Sequence, residues 1–401
     1  MKLKKFLLIF ILISAIFFSN YPNNEQYKKS VLNMINIINN KYYGTPNYSK
    51  ILDSLLNGMI EGLGDKFAWY LDPEKVKKDN EYYSSQYAGI GAMIKYNKEE
   101  KVLVVAPMLY SPAEKSGLKV GDKIISLDGS TVSELGWKQA EKKILGKPNT
   151  YITLKIKRNT WKNPKAFKIK RSLIKVPTVK YKTFEKNSKK FLYIKLTKFA
   201  NNSAIEMQKA LEKFKDKKFD GFILDLRGNL GGLVRISIDI ASMLMKNKVI
   251  THIKYSNGYN ETKRTISEKY FYFLNNVPKI ILVNKNTASS AEILTGAFKD
   301  NNAATILGTK TYGKAAIQST YKFKNGGEIK LPVGHYFTPK NYDINLKGII
   351  PDIIVDYEEK LTSKISEAEK YRALYCTTTN VFLDFKNDLQ LNKAIEILSE
   401  K

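Results

Sequence analysis

Apolar residues recur at three- and four-residue spacing in two early stretches, KSVLNMINIINNKYYG and YSKILDSLLNGMIEGLGD, and this spacing predicts two amphipathic helices. Proline and charge in LDPEK mark a boundary near residue 75. From about residue 80 to 160 the pattern changes to short strands and turns: AGIGAMIKY, KVLVVAPM, GDKIISLDG and the strictly alternating TYITLKIKR. Between them SPAEKSGL predicts a short helix with proline near its start and Gly117 at its end. From about 166 to 356 strands alternate with helices. KFDGFILDL is an apolar strand, GNLGG is too rich in glycine for either element, and LVRISIDIASMLM is an apolar helix. Gly231 and Gly232 thus fall at a strand-to-helix transition where backbone can approach a ligand closely. Beyond KGIIPDIIVDY a charged tail carries one more helix, DLQLNKAIEIL.

The first eighteen residues, MKLKKFLLIFILISAIFF, place a basic tip before the mostly apolar run from Phe6 to Phe18, the layout of an export signal. A helix of that length covers roughly 20 Å, short of the ~30 Å hydrocarbon layer, which favours a signal over an anchor. The following SNYPN has no clear A-x-A pattern and no lipid-acceptor cysteine, so retention as a membrane tether stays open. Residues 1–20 are therefore expected to be an export signal or tether, and the protein to reside in the cell envelope, in the periplasm or on the outer face of the cytoplasmic membrane.

A chain of 401 residues has room for two or three compact units, and 43% hydrophobic with 26% charged residues is a globular composition. The single cysteine, Cys376, can form neither an internal disulfide nor a cysteine-based metal site, so no metal and no redox cofactor is expected. Formal net charge is +29, but lysine is spread along the whole chain without a basic-aromatic stripe, so no nucleic-acid partner is expected.

Candidate chemistry centres on NTASSAEILTGAFKDNNAATILGTKTYGKAAIQS. Ser289 follows the strand IILVN and opens a helix whose Ile293, Leu294, Ala297 and Phe298 share one face. At a helix N-terminus, free N–H groups and the dipole favour developing negative charge, as an acyl-transfer oxyanion needs, although an N-cap serine is also a common structural device. A histidine base has no evident place, because His252 in VITHIKYS and His335 in LPVGHYFTP sit in strand-like contexts. A helix of about ten residues leads roughly 15 Å away from Ser289, and the strand AATIL returns about as far. The loop GTKTYGK, with Lys310 and Lys314, can therefore come back level with the serine. A lysine acts as a base only if burial lowers its pKa from about 10.4 to 7 or 8, a cost of about 4 kcal/mol that a large core can support.

These motifs resemble a known family. AGIGAMI, SPAEKSGLKVGDKIISLDG and ILGKPNTYITLKIKR are similar to the PDZ domain of exported bacterial proteases, in order and spacing. NKNTASSAEILTGAFKD followed by LGTKTYGKAAIQ resembles the catalytic region of the carboxyl-terminal processing proteases, also called tail-specific proteases, and the likeness runs from about residue 30 to the C-terminus. The resemblance implies an α/β multidomain chain: an N-terminal helical module at 21–75, a PDZ domain at 76–162, a mixed α/β, crotonase-like serine protease core at 163–356 and a C-terminal helical tail at 357–401. By position it implies Ser289 as nucleophile, Lys314 as base and Gln318 as orienter of the lysine. It implies oxyanion donors in the backbone N–H groups of Gly232 and Ser290, and a loop of Gly89, Ile90 and Gly91 that takes a peptide's terminal carboxylate. As implied partners it gives protein substrates with exposed apolar C-termini, a homodimer built by the terminal helices, and membrane association through the N-terminal segment. No cofactor is implied. Three positions depart from the family's pattern: TASSAE makes Ser290 a rival nucleophile, Leu230 stands where proline is usual, and Leu145 stands where arginine is frequent. Gln318 needs a bend to reach Lys314, since four residues of straight strand span about 13 Å. The rival expectation is a non-catalytic cell-envelope protein that binds peptides or apolar ligands through the same architecture.

Overall fold

The computed structural model describes residues 24–356, 385 and 387–400. The expected export segment, Cys376 and most of the 357–401 tail lie outside the described residues. Two compact units result: residues 24–73 with Tyr321–Ile329, and Glu74–Thr320 with the described residues from Lys330 onward.

In the first unit the two predicted helices are α1 (Asn24–Lys41) and α2 (Tyr48–Glu61). Asn47 caps α2 by accepting the Lys50 N–H at 3.1 Å. Val31, Met34, Ile35, Ile38, Ile51 and Leu52 line an apolar groove of about 350 Å³ between the two helices. Tyr70 Oη donates to Asp53 Oδ1 (2.6 Å), and Asn325 Nδ2 donates to the same carboxylate oxygen (3.1 Å), fastening Tyr321–Ile329 to this unit.

In the second unit, α3 (Pro73–Ser84) precedes a strand-rich domain. There β1 (Gln86–Gly89) pairs antiparallel with a late strand, Ser172–Lys175. A separate antiparallel sheet runs in the order β2 (Ala92–Asn97), β3 (Val102–Pro107), β4 (Asp122–Leu127), β5 (Tyr151–Lys157), β6 (Lys165–Lys170). The alternation read in TYITLKIK is the pleat itself, with Ile152, Leu154 and Ile156 buried and the residues between them exposed. Beyond residue 162, β6 completes the β5 hairpin, so this domain's sheet extends to Lys170. Only Phe167 and Ile169 of that lysine-rich strand join the core, which leaves it a weak apolar signal. The helical segment Val132–Ile144, kinked at the non-helical Gly136 (φ 68°, ψ 172°), starts at a capping box between Thr131 and Glu134 and packs Val132, Ala140 and Ile144 beneath the sheet. The Arg171 guanidinium closes the end of that helix by donating to the carbonyls of Lys143 (2.5 Å) and Ile144 (3.1 Å).

The largest core is built on a six-stranded sheet. Val179–Lys186 pairs antiparallel with β7 (Lys189–Leu196), and β7, β8 (Gly221–Asp225), β9 (Lys279–Val283), β10 (Thr305–Gly308) and a short strand at Ile353–Ile354 run parallel in that order. Parallel strands are covered on both faces, which is why they read as unbroken apolar runs. Leu192, Ile194, Phe222, Leu224, Ile281, Val283 and Ile306 face helices α4 (Ser203–Phe214), α5 (Val234–Leu244) and α6 (Ser290–Asp300). Their alternates Phe191, Tyr193, Ile223, Ile280, Leu282 and Leu307 face α7 (Leu389–Ser399), the helix read at the chain's end.

One buried charge cluster fixes that last helix. Asp225, fully buried at the end of β8, accepts Arg227 Nη2 at 2.7 Å and Tyr193 Oη at 2.5 Å. Burial opposes its charge, but Arg227 and Lys195 hold its carboxyl well below the usual carboxylate range. Arg227 reaches on to both oxygens of Asp388 (2.8 Å each), and Asp388 also caps α7 at the Leu391 N–H. Asp388→Ala removes the cap and leaves Arg227 short of one carboxylate, so it is expected to destabilise the protein by about 3 kcal/mol. Urea unfolding measures that loss, and amide hydrogen exchange should speed up first within 389–399.

Candidate functional site

The loops leaving the C-terminal ends of β8, β9 and β10 converge, as ligand-binding loops do in open parallel sheets. They are the three segments singled out in the sequence: DLRGNLGG, NKNTASS and GTKTYGK.

Ser289 stands at the turn from β9 into α6 with φ 57° and ψ −123°, a sparsely populated backbone for a residue with a side chain. Such a conformation costs about 1–3 kcal/mol and persists only where its surroundings impose it. Glu292, three residues on and fully buried, imposes it here. Its Oε2 accepts the backbone N–H of Ser289 (2.9 Å) and of Lys314 (2.8 Å), and its Oε1 accepts the Gly313 N–H (2.7 Å) and Thr311 Oγ1 (2.6 Å). The amides of Ser289 and Lys314 are therefore separated by no more than two hydrogen bonds laid end to end. Burial raises the Glu292 pKa while the four donors oppose that rise. Gly313, at φ 90°, lets the loop lie against the backbone of Leu346–Gly348, which a Cβ would meet at 2.8–3.0 Å.

The glycine turn is held just as tightly. The buried Asn229 side chain donates to Leu196 O (2.8 Å) and accepts the Gly231 N–H (2.9 Å), while its own carbonyl accepts the Ala288 N–H (2.9 Å). The turn is thus secured on both sides of Leu230, which is itself exposed. A Cβ on Gly231 would lie 2.7 Å from Ser289 Cβ, and one on Gly232 would lie 2.2 Å from Phe199 O, so neither position can carry a side chain. Among the described residues the N–H groups of Gly232 and Ser290 have no acceptor. Ser290 is fully buried, and its Oγ donates to Gly232 O at 2.8 Å.

Lys314 Nζ donates to Gln318 Oε1 at 3.1 Å. The strand holding Gln318 begins only at Ala316, so the chain bends between the two residues, as the contact requires. Burial first, and the Lys330 ammonium second, lower the Lys314 amine to about 8. Lys330 is paired in turn with Asp79 of α3 at 2.5 Å. The hydroxyl of Ser289 meets a different group, Tyr336 Oη, at 3.1 Å. Lys310 is exposed, and the ring nitrogens of His252 are occupied by Thr262 Oγ1 (2.9 Å) and Pro339 O (3.1 Å). Gly89, Ile90 and Gly91 lie in the strand-rich domain, where Ile90 O and Gly91 O accept the N–H groups of Ala113 and Met108. The edge strand β2 follows directly.

Sequence reasoning brought Ser289, Ser290, Gly232, Lys314 and Gln318 into consideration, but not Glu292, Asn229, Lys330 or Tyr336. Only Glu292 had a local signal, the S-x-x-E spacing of a capping box. Glu292→Gln presents an amide NH₂ to donors that need an acceptor. It is expected to cost about 2–4 kcal/mol in stability, measured by denaturant titration.

Comparison with known proteins matches residues 88–170 to the PDZ domain and residues 190–355 to peptidase family S41. Carboxy-terminal processing protease CtpA of Bacillus subtilis (strain 168) is 32% identical over 345 residues, covering 86% of this chain and 72% of the relative. The carboxyl-terminal-processing protease of Picosynechococcus sp. is 34% identical over 301 residues, covering 75% and 72%. A solved structure from Bacteroides fragilis NCTC 9343, assigned as an S41 protease, shares the fold with a TM-score of 0.56 at 18% identity, over 90% of this chain and 92% of that one. With its parallel-sheet core and PDZ domain, the chain belongs to the carboxyl-terminal processing proteases of peptidase family S41 and is a serine-type peptidase.

Proposed function

We propose that this peptidase is an exported endopeptidase that takes the C-terminal tail of a protein substrate on its PDZ domain and cuts within that tail. Ser289 Oγ attacks the peptide carbonyl as its proton passes to neutral Lys314 Nζ, and Lys314 returns that proton to the leaving amine. Water then hydrolyses the acyl-enzyme with the same lysine as base. The N–H groups of Gly232 and Ser290 hold the oxyanion, and Gln318 orients the amine. The observation that carries this reading is the shared Glu292 oxygen, which brings the backbones of Ser289 and Lys314 together at a helix N-terminus. Attack requires the Lys314 amine to close onto Ser289 Oγ, in keeping with catalytic hydrogen bonds that tighten only when substrate binds. The Gly89–Ile90–Gly91 loop takes the terminal carboxylate, and the open flank of β2 pairs with the peptide. Export to the cell envelope, retention by the N-terminal segment and a homodimer belong to the same reading. Exposed Tyr27, Met34, Ile37, Met59 and Leu63 on and beside the first unit's helices support the dimer.

Mass spectrometry of products from a protein with an apolar C-terminus is the test. The native chain is expected to shorten the tail, while Ser289→Ala and Lys314→Ala lose at least about 10³-fold in rate. Unchanged cleavage by both variants would sink the assignment, and tail binding without cleavage by the native chain would favour the non-catalytic reading.

The pH profile supplies a second check. Only the unprotonated amine acts as base, so kcat/KM is expected to rise with pH through about 8, where Lys314 loses its proton. The Lys330 charge lowers that value. Lys330→Met removes the repulsion, so the acid limb should move to higher pH; a limb that stays put or moves down contradicts the assignment.

A further inference from the structure

We infer that Tyr336 is a further catalytic residue, whose buried phenol donates a hydrogen bond to Ser289 Oγ and thereby turns the serine's own proton toward the base. The inference rests on the reading of Ser289 as nucleophile. It concerns the attacking oxygen, whereas the Gly232 and Ser290 amides serve the carbonyl oxygen of the substrate.

Tyr336 lies on the strand Glu328–Phe337 and is 2% exposed. Its backbone N–H donates to Ala315 O (3.0 Å), so the tyrosine is anchored one residue from Lys314. Its Oη stands 3.1 Å from Ser289 Oγ and has no other polar partner among the described residues. Two hydroxyls can share one hydrogen bond in either sense, and burial decides between them here. If Ser289 donated, the Tyr336 O–H would be a buried donor with nothing to accept it, which is costly. Ser289 is 8% exposed and borders the site, so its hydrogen has other outlets. The tyrosine is therefore the donor.

Three consequences follow for the reaction. The serine hydrogen cannot lie along the line to Tyr336, which leaves the directions toward Lys314 and the open site. As Oγ gives up its proton to Lys314 its negative charge grows, and a hydrogen bond already in place strengthens without reorganisation. When the acyl-enzyme breaks down, Oγ is the leaving group and the same donor supports its departure. The phenol keeps its proton throughout, since burial first, and then the neighbouring charge of Glu292, push its pKa far above the ordinary tyrosine value. All proton transfer remains between Ser289, Lys314, the amine and water. A phenylalanine would fill the same apolar surroundings, so packing alone does not account for the hydroxyl.

The test uses the purified full chain and two readouts: the rate at which diisopropyl fluorophosphate labels Ser289, followed by mass spectrometry, and steady-state cleavage of a tail peptide. Tyr336→Phe is expected to slow labelling and lower kcat by about 10- to 100-fold, with KM unchanged. Parental labelling and parental kcat in Tyr336→Phe would overturn the inference while leaving Ser289 as nucleophile. Tail cleavage that survives Ser289→Ala overturns the functional reading and this inference with it. Should Tyr336→Phe fail to fold, a ring-fluorinated tyrosine at 336 keeps the shape and makes the phenol more acidic. Its labelling rate is expected to fall off at lower pH than the parent's, as the phenol stops donating, and an alkaline limb at the parental pH overturns the inference.

Discussion

A carboxylate taken out of water must be given donors, and Glu292 is the point where this chain meets that demand. An unpaired buried charge is so costly that the loop between β10 and the next strand has little freedom: Thr311, Gly313 and Lys314 must all reach one side chain on the first turn of α6. The same side chain takes the N–H of Ser289 and holds that residue in its strained backbone. One buried ion thus sets the position of the proposed nucleophile and of the proposed base. Its charge is taken up by backbone amides and a hydroxyl, so it faces the backbone of Lys314 and the amine is left to the opposing effect of burial.

That opposing effect comes from the layers around it. Helices α4, α5 and α6 close one face of the sheet and α7 the other, and loops at the ends of β8, β9 and β10 stand on two-sided packing. Lys314 loses hydration on this foundation, and Lys330 adds a second positive charge nearby. Asp79, on the helix that precedes the PDZ domain, is the counter-ion of Lys330. The electrostatics of the site therefore reach a segment more than two hundred residues away in sequence, through one ion pair and one repulsion.

The glycine turn is positioned by a second set of polar contacts. Asn229 joins the end of β7, the Gly231 amide and the residue before Ser289, so the turn and the serine are set against each other directly. Immediately upstream, Arg227 connects the end of β8 to the cap of α7. A helix on the far face of the sheet is in this way bonded to the segment that carries Gly232. Burial keeps these charge-assisted bonds strong, because water does not compete for them.

Alternation in TYITLKIK, the apolar runs FILDL and IILV, and the face of AEILTGAF determined their elements by themselves, since periodicity reports which sides of an element are buried. Helix and strand lengths were also enough to bring Lys314 back to the level of Ser289, because rise per residue is a local property. The strand Lys165–Lys170 was harder to read, its apolar content being reduced to two residues by an exposed lysine face. Ser289 with Tyr336 and Lys330 with Asp79 join positions 47 and 251 residues apart, and Asn229 with Leu196 joins positions 33 apart. No spacing rule encodes such pairs. They exist because separate segments pack against one core and buried polar groups must find partners there, a condition met only once the whole chain has folded.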